Sequence, residues 1–248
     1  MEKSRLDREA EFHNQAFSEQ TRRTTGKFYA VAARTKRHYH RLVELHGAGR
    51  KALGIGVGVG GHAFELANMG ATVVGIDISD VGVGQALAKA IDEEMGDRLD
   101  FRVMNAEVLD FPDGSFDLVY GSGILHHLDL EKACSELSRV LTVDGTGVFF
   151  EPLGHNPLIN MYRRLTPQMR TDDEHPLRIE DLEVISRHFS AAEVEHFHLT
   201  SLGSVPFTKL PGFRLLRRLL ELVDAVLFKL PWIRRFAWIA VITVRKEG

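Results

Sequence analysis

The chain has 248 residues, of which 44% are hydrophobic and 26% are charged. This length and balance fit one α/β domain with appended helices, and they exclude a disordered or fibrous chain. The formal net charge of −3 gives no global electrostatic reason to expect a nucleic-acid partner.

The expected compartment is the cytoplasm. Cys134 is the single cysteine, so the chain cannot form an internal disulfide, which suits a reducing environment. The polar start Met1–Arg5 lacks the apolar stretch of a signal peptide. No uninterrupted apolar run reaches the roughly 18 residues that a membrane span needs.

Residues 1–49 are charged and helix-prone. Apolar residues recur at spacings of three and four between Val31 and Val43, which predicts one or two helices ahead of the core. Such an N-terminal extension would either pack on an edge of the sheet or form a lid over a pocket.

Strands alternate with helices over residues 50–200, and this pattern predicts an α/β core with a doubly wound, Rossmann-like parallel sheet. A last β-branched strand is expected within 236–248. The strands are expected near 51–55, 71–76, 99–104, 116–120, 145–151, 192–199 and 236–244, and the helices near 60–69, 80–95, 129–141 and 179–189.

A glycine-rich turn follows the first predicted strand. Glycine lets the backbone turn sharply and approach a ligand closely. The second strand ends on Asp77, whose carboxylate can accept hydrogen bonds from the hydroxyls of an adenosine ribose. The stretch therefore predicts a nucleotide-cofactor site. Its glycines are Gly54, Gly56, Gly58, Gly60 and Gly61.

The glycines alone do not identify the cofactor. The dinucleotide fingerprint G-x-G-x-x-G is formally satisfied by Gly56, Gly58 and Gly61. An NAD-dependent oxidoreductase is therefore an alternative function. Against it, none of the four tyrosines has a lysine four residues later, and no catalytic His/Asp pair can be placed.

Later motifs carry a more specific signal. A turn and strand at 111–119 precede Gly121–Leu128, which contains His126-His127, and a strand closes on Glu151. With Asp77 before them, these residues resemble the class I S-adenosylmethionine-dependent methyltransferases, of the small-molecule type that includes ubiquinone/menaquinone and natural-product enzymes. The resemblance covers roughly residues 50–200. It implies a seven-stranded sheet whose last strand is antiparallel.

The resemblance also implies the cofactor, S-adenosylmethionine, and its product, S-adenosylhomocysteine. Asp77 would bind the ribose hydroxyls, Ile78 would pack on the adenine, and Asn105 would read the adenine amino group. The alternatives are a turn or capping role for Asp77 and a loop role for Asn105. The other residues expected at the cofactor are Gly54, Gly56, Gly58, Gly60, Ala106, Glu107 and Gly121.

Two positions depart from the family pattern. Gly54 stands where the family usually has an acid that helps to hold the cofactor's ammonium group, and Val59 stands where a small or hydroxylated residue is usual. Losing one charge-assisted hydrogen bond costs about 1.5–3 kcal/mol. A catalytically degenerate binding or scaffold protein is therefore a second reading.

Histidines are the candidate catalytic residues, because an imidazole titrates near working pH. His127 is expected to be a base or an acceptor ligand, or else to pack at the cofactor. His126 is a further candidate, with a structural role as its alternative. His155 and His175 are alternative bases. These histidines lack the compact spacing of metal ligands, so no metal site is predicted.

The expected acceptor is a small apolar or amphipathic molecule, methylated on O, C or N. The chain lacks the Asn/Asp-Pro-Pro-Tyr motif of base-amino methyltransferases. An insertion at 201–235 has an apolar helical stripe and a local charge of +5, from seven cations and two acids. Such a segment can contact a membrane peripherally, roof a pocket or form a homodimer.

Overall fold

A seven-stranded sheet organises the protein, as seen in a computed structural model that describes residues 4–18, 26–166 and 175–246, without the side chains of 26–30. The sheet order is β3-β2-β1-β4-β5-β7-β6. The strands are β1 (Lys51–Ile55), β2 (Thr72–Asp77), β3 (Leu99–Val103), β4 (Phe116–Ser122), β5 (Leu141–Pro152), β6 (Ala191–Phe197) and β7 (Ile239–Arg245).

Helices connect and flank these strands. Those before β4 are α1 (Arg5–Ser18), α2 (Gly26–Gly47), α3 (Ala63–Asn68) and α4 (Asp80–Asp92). Those after it are α5 (Leu130–Val140), α6 (Pro157–Leu165), α7 (Ile179–Arg187), α8 (Phe213–Leu227) and α9 (Pro231–Arg234), with 3₁₀ turns at Leu125–His127 and Thr200–Phe207.

The strand order confirms the predicted fold class. Strand β1 pairs in parallel with β2 on one side and with β4 on the other. The carboxyl ends of β1 and β4 therefore flank the point where the winding direction reverses, which is where ligands bind in open α/β sheets. Strand β7 is antiparallel to both β5 and β6, as the resemblance implies.

Helices cover both faces of the sheet, so the strands are buried on two sides. On one face Tyr39 of α2 and Phe64 of α3 pack with side chains of α4. On the other face Leu137 of α5 and Ile185 of α7 pack over strands β1, β4 and β5. Burial on both faces explains why the parallel strands are nearly continuous apolar runs.

Two strand starts differ by three or more residues from those predicted. Strand β5 begins at Leu141, not 145, because Leu141 pairs with Phe116 before a shift in register. The sequence hides this start, since Asp144 (φ +63°) resembles a turn residue. Strand β7 begins at Ile239, not 236, because the amide of Phe236 still bonds to the Ile233 carbonyl after α9.

The 201–235 insertion folds as a 3₁₀ turn followed by α8 and α9. The inner side of α8 is partly polar, because the buried carboxylate of Asp224 accepts hydrogen bonds from the amides of Leu199 and Thr200. Its apolar stripe faces outward and is exposed at Leu215, Leu219, Leu222, Val223 and Val226. Among the described residues, no helix combines the length and apolarity needed to cross a bilayer.

Candidate cofactor and acceptor site

The glycine turn and the end of β2 are joined by a hydrogen bond. The amide of Gly58 donates to Oδ2 of Asp77 at 2.7 Å, and the amide of Ser79 donates to Oδ1 at 2.9 Å. Gly58 has a φ of +53°, which glycine adopts without steric cost. The Asp77 carboxylate is thus fixed at the switch point, and each oxygen retains acceptor capacity for a ligand hydroxyl.

The space around the other predicted glycines is limited. A Cβ at Gly54 would lie 2.8 Å from the Tyr120 hydroxyl, and Cβ atoms at Gly56 and Gly121 would clash with Ile124. The Tyr120 hydroxyl is buried without a hydrogen-bond partner among the described residues, and burial raises its pKa. The chain therefore places a neutral hydroxyl beside the position where the family usually has an acid.

The predicted adenine-reading segment is partly occupied by contacts within the chain. The side chain of Asn105 accepts a hydrogen bond from the amide of Glu107 at 3.0 Å. The carboxylate of Glu107 accepts from the amide of Asp129 and forms an ion pair with Arg5. Ala106 is buried between them, and Ile78, at the neighbouring edge, is half-buried.

Helix α1 crosses the carboxyl ends of the strands and covers the glycine turn. Phe17 packs so closely on Gly58 that a Cβ there would lie 2.6 Å from its ring. Asn14 accepts a hydrogen bond from the Ser79 hydroxyl, and at the other end Arg5 donates to the carbonyl of His127. Helix α1 thus lies over the predicted cofactor turn, and its role as a lid stays a prediction.

His126 is held inside the protein. Its Nδ1 lies 2.7 Å from Oε2 of Glu151, and both side chains are buried. The other oxygen of Glu151 accepts hydrogen bonds from the amides of Ile124 and Leu125. Glu151 therefore fixes the turn that carries the two histidines, and His126 serves as part of that fixed turn.

His127 faces α1 instead. Its side chain is 11% exposed, and its Nδ1 lies 3.2 Å from Oε2 of Glu9. The imidazole of His13 packs against it with a ring-centroid distance of 5.6 Å. His155 is half-buried, and its Nε2 lacks a hydrogen-bond partner among the described residues. His175 is exposed, and residues 167–174 before it lie outside the described part of the chain.

Lys36 of α2 is a half-buried cation that the sequence analysis did not single out. It donates a hydrogen bond to Ser122 at the end of β4, and its Nζ lies 4.9 Å from the ring centroid of Phe150. Burial lowers its pKa to about 8, an effect that the negative charge of Glu151 partly offsets. In the sequence Lys36 sits among Arg34, Arg37 and His38, so it resembles part of a solvated helical face.

Comparison with known proteins shows similarity to methyltransferases. A family model described as "Methyltransferase domain" matches residues 53–149. The chain is 40% identical over 113 residues to sterol 24-C-methyltransferase ERG6B of Gibberella zeae, which is 44% of this chain and 30% of that protein. It is 36% identical over 99 residues to phosphoethanolamine N-methyltransferase 2 of Caenorhabditis elegans, which is 39% of this chain and 22% of that protein. The chain thus spans less than a third of these relatives.

A solved structure shares the fold over almost the whole chain. Geranyl diphosphate C-methyltransferase from Streptomyces coelicolor A3(2), in complex with Mg²⁺, geranyl diphosphate and S-adenosylhomocysteine, covers 99% of this chain and 98% of its own. The TM-score is 0.66 and the identity is 14%. Residues 53–149 thus match a methyltransferase domain, and the chain shares its fold with the solved structure of a methyltransferase.

Proposed function

We propose that this protein transfers a methyl group from S-adenosylmethionine to a small apolar or amphipathic acceptor, with S-adenosylhomocysteine as the second product. The observation that carries the proposal is the fixed Asp77 carboxylate beside the turn at Gly58, within the matched methyltransferase domain. A carboxylate at this strand end suits ribose hydroxyls, and the tight turn leaves the backbone accessible to the ligand.

The residues around this cradle have defined tasks in the proposal. The cofactor supplies an electrophilic methyl group on its sulfonium. Asp77 holds the ribose, the buried hydroxyl of Tyr120 supplies a neutral polar contact near Gly54, and α1 excludes water through Phe17. Holding nucleophile and methyl group together in a dry pocket supplies much of the rate. His127 borders the acceptor, as its base or its positioning ligand.

The acceptor class rests on two supports. The printed names of the similar proteins include sterol, geranyl diphosphate and phosphoethanolamine methyltransferases. Two of these three names specify acceptors with a large apolar part. In this chain the buried ring of Phe150 and the cation of Lys36 lie together at the ends of β4 and β5, which suits an amphipathic acceptor with an anionic or oxygen-bearing end.

The test measures S-adenosylhomocysteine formation by mass spectrometry. The purified chain is incubated with S-adenosylmethionine and, separately, with a sterol, geranyl diphosphate or phosphoethanolamine. We expect acceptor-dependent product with an apolar-bodied acceptor, and loss of that product in Asp77→Ala. Asp100→Ala serves as the matched control, because Asp100 is a half-exposed acid on β3 that pairs with Arg102. Equal turnover of Asp77→Ala and the unaltered chain would contradict the site assignment.

The rival functions give different results in a binding experiment. A degenerate scaffold protein would bind neither S-adenosylmethionine nor its product, and an oxidoreductase would bind NAD. Adenosyl-ligand binding without acceptor turnover would retain the cofactor site and move the acceptor proposal to another chemical class. The match of residues 53–149 supports methyl transfer over hydride transfer.

We also propose that the protein works in the cytoplasm and docks peripherally on an anionic membrane through 201–235. Five large apolar side chains on one face of α8 are 45–65% exposed, and Trp232 beyond them is 65% exposed. Exposed apolar faces of this kind mark contact sites, and tryptophan suits the membrane interface. The apolar residues on α8 are Leu215, Leu219, Leu222, Val223 and Val226.

Charge favours an anionic bilayer over a second copy of the chain. The exposed charged side chains of the insertion are all cationic, whereas Glu221 is half-buried beside Arg217 and Asp224 is buried. The cationic surfaces of two copies of the chain would repel each other across a two-fold axis, whereas one such surface complements anionic headgroups. The cations are Lys209, Arg214, Arg218, Lys229, Arg234 and Arg235.

A groove beside this surface also supports an anionic bilayer as the partner. It lies between α2 and α8 and has a volume of about 890 Å³. Its lining has five arginines against three acids, a net charge of 5 − 3 = +2, from Arg34, Arg37, Arg41, Arg217 and Arg218 with Glu195, Glu221 and Asp224. The first three arginines lie at one face of α2, because their spacings of three and four residues are helical. A groove of this charge beside an exposed apolar helix suits a lipid headgroup whose acyl chains contact α8.

Vesicle sedimentation tests the docking surface. We expect binding to phosphatidylcholine vesicles that contain phosphatidylserine, weaker binding at high salt, and at least about a tenfold loss in Leu222→Glu because a buried charge opposes insertion. Ile91→Glu is the matched control, since Ile91 is 73% exposed on α4. Membrane docking would be contradicted if Leu222→Glu left sedimentation with the vesicles unchanged. It would also be contradicted if the chain formed a salt-insensitive homodimer that Leu222→Glu dissociates.

A further inference from the structure

Helix α1 and the turn after β4 bring two imidazoles and a carboxylate together. Glu9 and His13 lie one helical turn apart on the same face of α1. Oε2 of Glu9 is 3.5 Å from Nε2 of His13 and 3.2 Å from Nδ1 of His127. All three ligand atoms lie within 4.8 Å of one another.

This spacing is that of atoms around a shared ion. Ligands about 2.0–2.2 Å from a tetrahedral metal are roughly 3.3–3.5 Å from each other, close to the two measured separations. The Nδ1 of His127 is buried and has no hydrogen-bond partner among the described residues, although Glu9 is near. Two atoms that approach without a hydrogen bond are expected where both direct lone pairs at a common ion.

The surroundings also suit a bound ion. Side-chain exposure is 2% for Glu9, 20% for His13 and 11% for His127. These values distinguish the cluster from the solvated acidic patches that are common on protein surfaces. The partial exposure of His13 leaves one side of the cluster accessible, as an entry path for the ion requires.

We propose that Glu9, His13 and His127 bind one divalent first-row transition-metal ion. Two imidazoles and one carboxylate are a donor set for zinc, cobalt, manganese or iron(II), whereas magnesium prefers oxygen ligands and retains water. Three protein ligands leave at least one coordination position for a water or an acceptor oxygen.

Ion binding connects the lid to the core. Helix α1 contributes Glu9 and His13, and the turn after β4 contributes His127, so coordination holds α1 over the carboxyl edge of the sheet. With its Nδ1 on the ion, His127 keeps a proton on Nε2 and positions the acceptor instead of deprotonating it. This last assignment rests on the proposed function, but ion binding itself requires neither cofactor nor acceptor.

The 248-residue chain is first dialysed against a chelator. It is then titrated with Co²⁺, monitored by visible absorption, and separately with Zn²⁺, monitored by calorimetry. We expect one ion per chain and visible bands typical of a cobalt site with fewer than six ligands. His13→Ala and Glu9→Gln should each weaken binding by more than about a hundredfold, since even second-layer partners typically contribute 10–100-fold.

The control is His188→Ala, because His188 is partly exposed and forms a histidine–carboxylate pair with Glu131 elsewhere. We expect this variant to bind the ion like the unaltered chain. Absence of stoichiometric binding, or affinity that His13→Ala leaves unchanged, would overturn the proposal. If circular dichroism shows that the α1 variants do not fold, the cobalt spectrum of the unaltered chain alone decides whether the ion site exists. A separate S-adenosylmethionine titration shows whether the cofactor site is intact in either case.

Discussion

The floor and the cover of the site differ in how far their contacts reach along the chain. The floor, formed by the ends of the core strands, is joined by bonds such as Gly58–Asp77 and His126–Glu151, which are 19 and 25 residues apart. The cover, formed by α1 and α2, reaches the core through Arg5–Glu107 and Lys36–Ser122, which are 102 and 86 residues apart.

This difference separates two tasks. The floor holds neighbouring loops in fixed positions and contains the acid expected to bind the cofactor. The cover adds buried charges and imidazoles where an acceptor would lie. Changes in the floor should therefore alter cofactor affinity or folding, and changes in the cover should alter turnover while the cofactor still binds.

The largest effect is expected for Asp77→Ala. Removing the carboxylate deletes the acceptor for two ribose hydroxyls, which at about 1.5–3 kcal/mol each corresponds to roughly two to four orders of magnitude in S-adenosylhomocysteine affinity. Calorimetry measures this loss. Asp100→Ala should keep the original affinity, and an equal loss in both variants would point to general destabilisation.

Glu151→Gln tests the floor as a folding element. The substitution removes the charge that faces His126 and weakens the acceptor of two backbone amides. We expect the free energy of unfolding to fall by about 3–5 kcal/mol, as for other buried pairs broken on one side. Denaturant unfolding measures the change. Glu131→Gln, which alters the more exposed pair with His188, should cost no more than about 1 kcal/mol.

His127→Ala tests the boundary between floor and cover. Whether His127 acts as base or as positioning ligand, its loss should lower single-turnover methyl transfer by about 10²–10⁴-fold. Cofactor affinity should remain within a few-fold of the original, as calorimetry would show. Unaltered turnover would remove His127 from the reaction, and loss of cofactor affinity would place it in the floor.

Lys36→Met should give the smallest effect. It should stabilise the protein at neutral pH, whereas Glu151→Gln destabilises it. The pKa of Lys36 is about 8 in the folded protein, below the ordinary value of 10.5. The unfolded chain thus binds more protons between about pH 8 and 10.5, and stability should rise with pH across that window. In Lys36→Met this rise should disappear.

At pH 7 the burial penalty of the charged Lys36 is fully present. Lys36→Met should therefore be more stable than the unaltered chain there, on the order of 1–3 kcal/mol. Thermal unfolding at pH 7 and pH 10 measures both expectations. A variant that is less stable at pH 7 would show that the bond to Ser122 and the contact with Phe150 outweigh the desolvation of the amine.

Most of the fold could be predicted from the sequence, because its signals are local. Glycines after one strand and an acid at the end of the next lie within about 20 residues, and alternating apolar strands and helices determine the sheet. The start of β5 was missed because the residues around Asp144 have the composition of a turn, and pairing of Leu141 with Phe116 is a long-range contact.

The cover could not be predicted to the same extent. Nothing local in the sequence shows that Glu9, His13 and Lys36 turn inward, because each lies in a charged helix typical of a solvated surface. Likewise, the apolar stripe of α8 indicates an amphipathic helix without showing which side meets the core. The placements in α1 and α2 depend on contacts such as Arg5–Glu107 and Lys36–Ser122, which span 102 and 86 residues.

The most direct test of the central claim is calorimetric titration of the 248-residue chain with S-adenosylmethionine, S-adenosylhomocysteine and NAD. The account predicts micromolar binding of the two adenosyl ligands and none of NAD, because the fixed Asp77 carboxylate and the glycine turn form the cofactor cradle. If neither adenosyl ligand bound, the methyltransferase account would be contradicted and a scaffold protein would be favoured. Binding of NAD would favour the oxidoreductase.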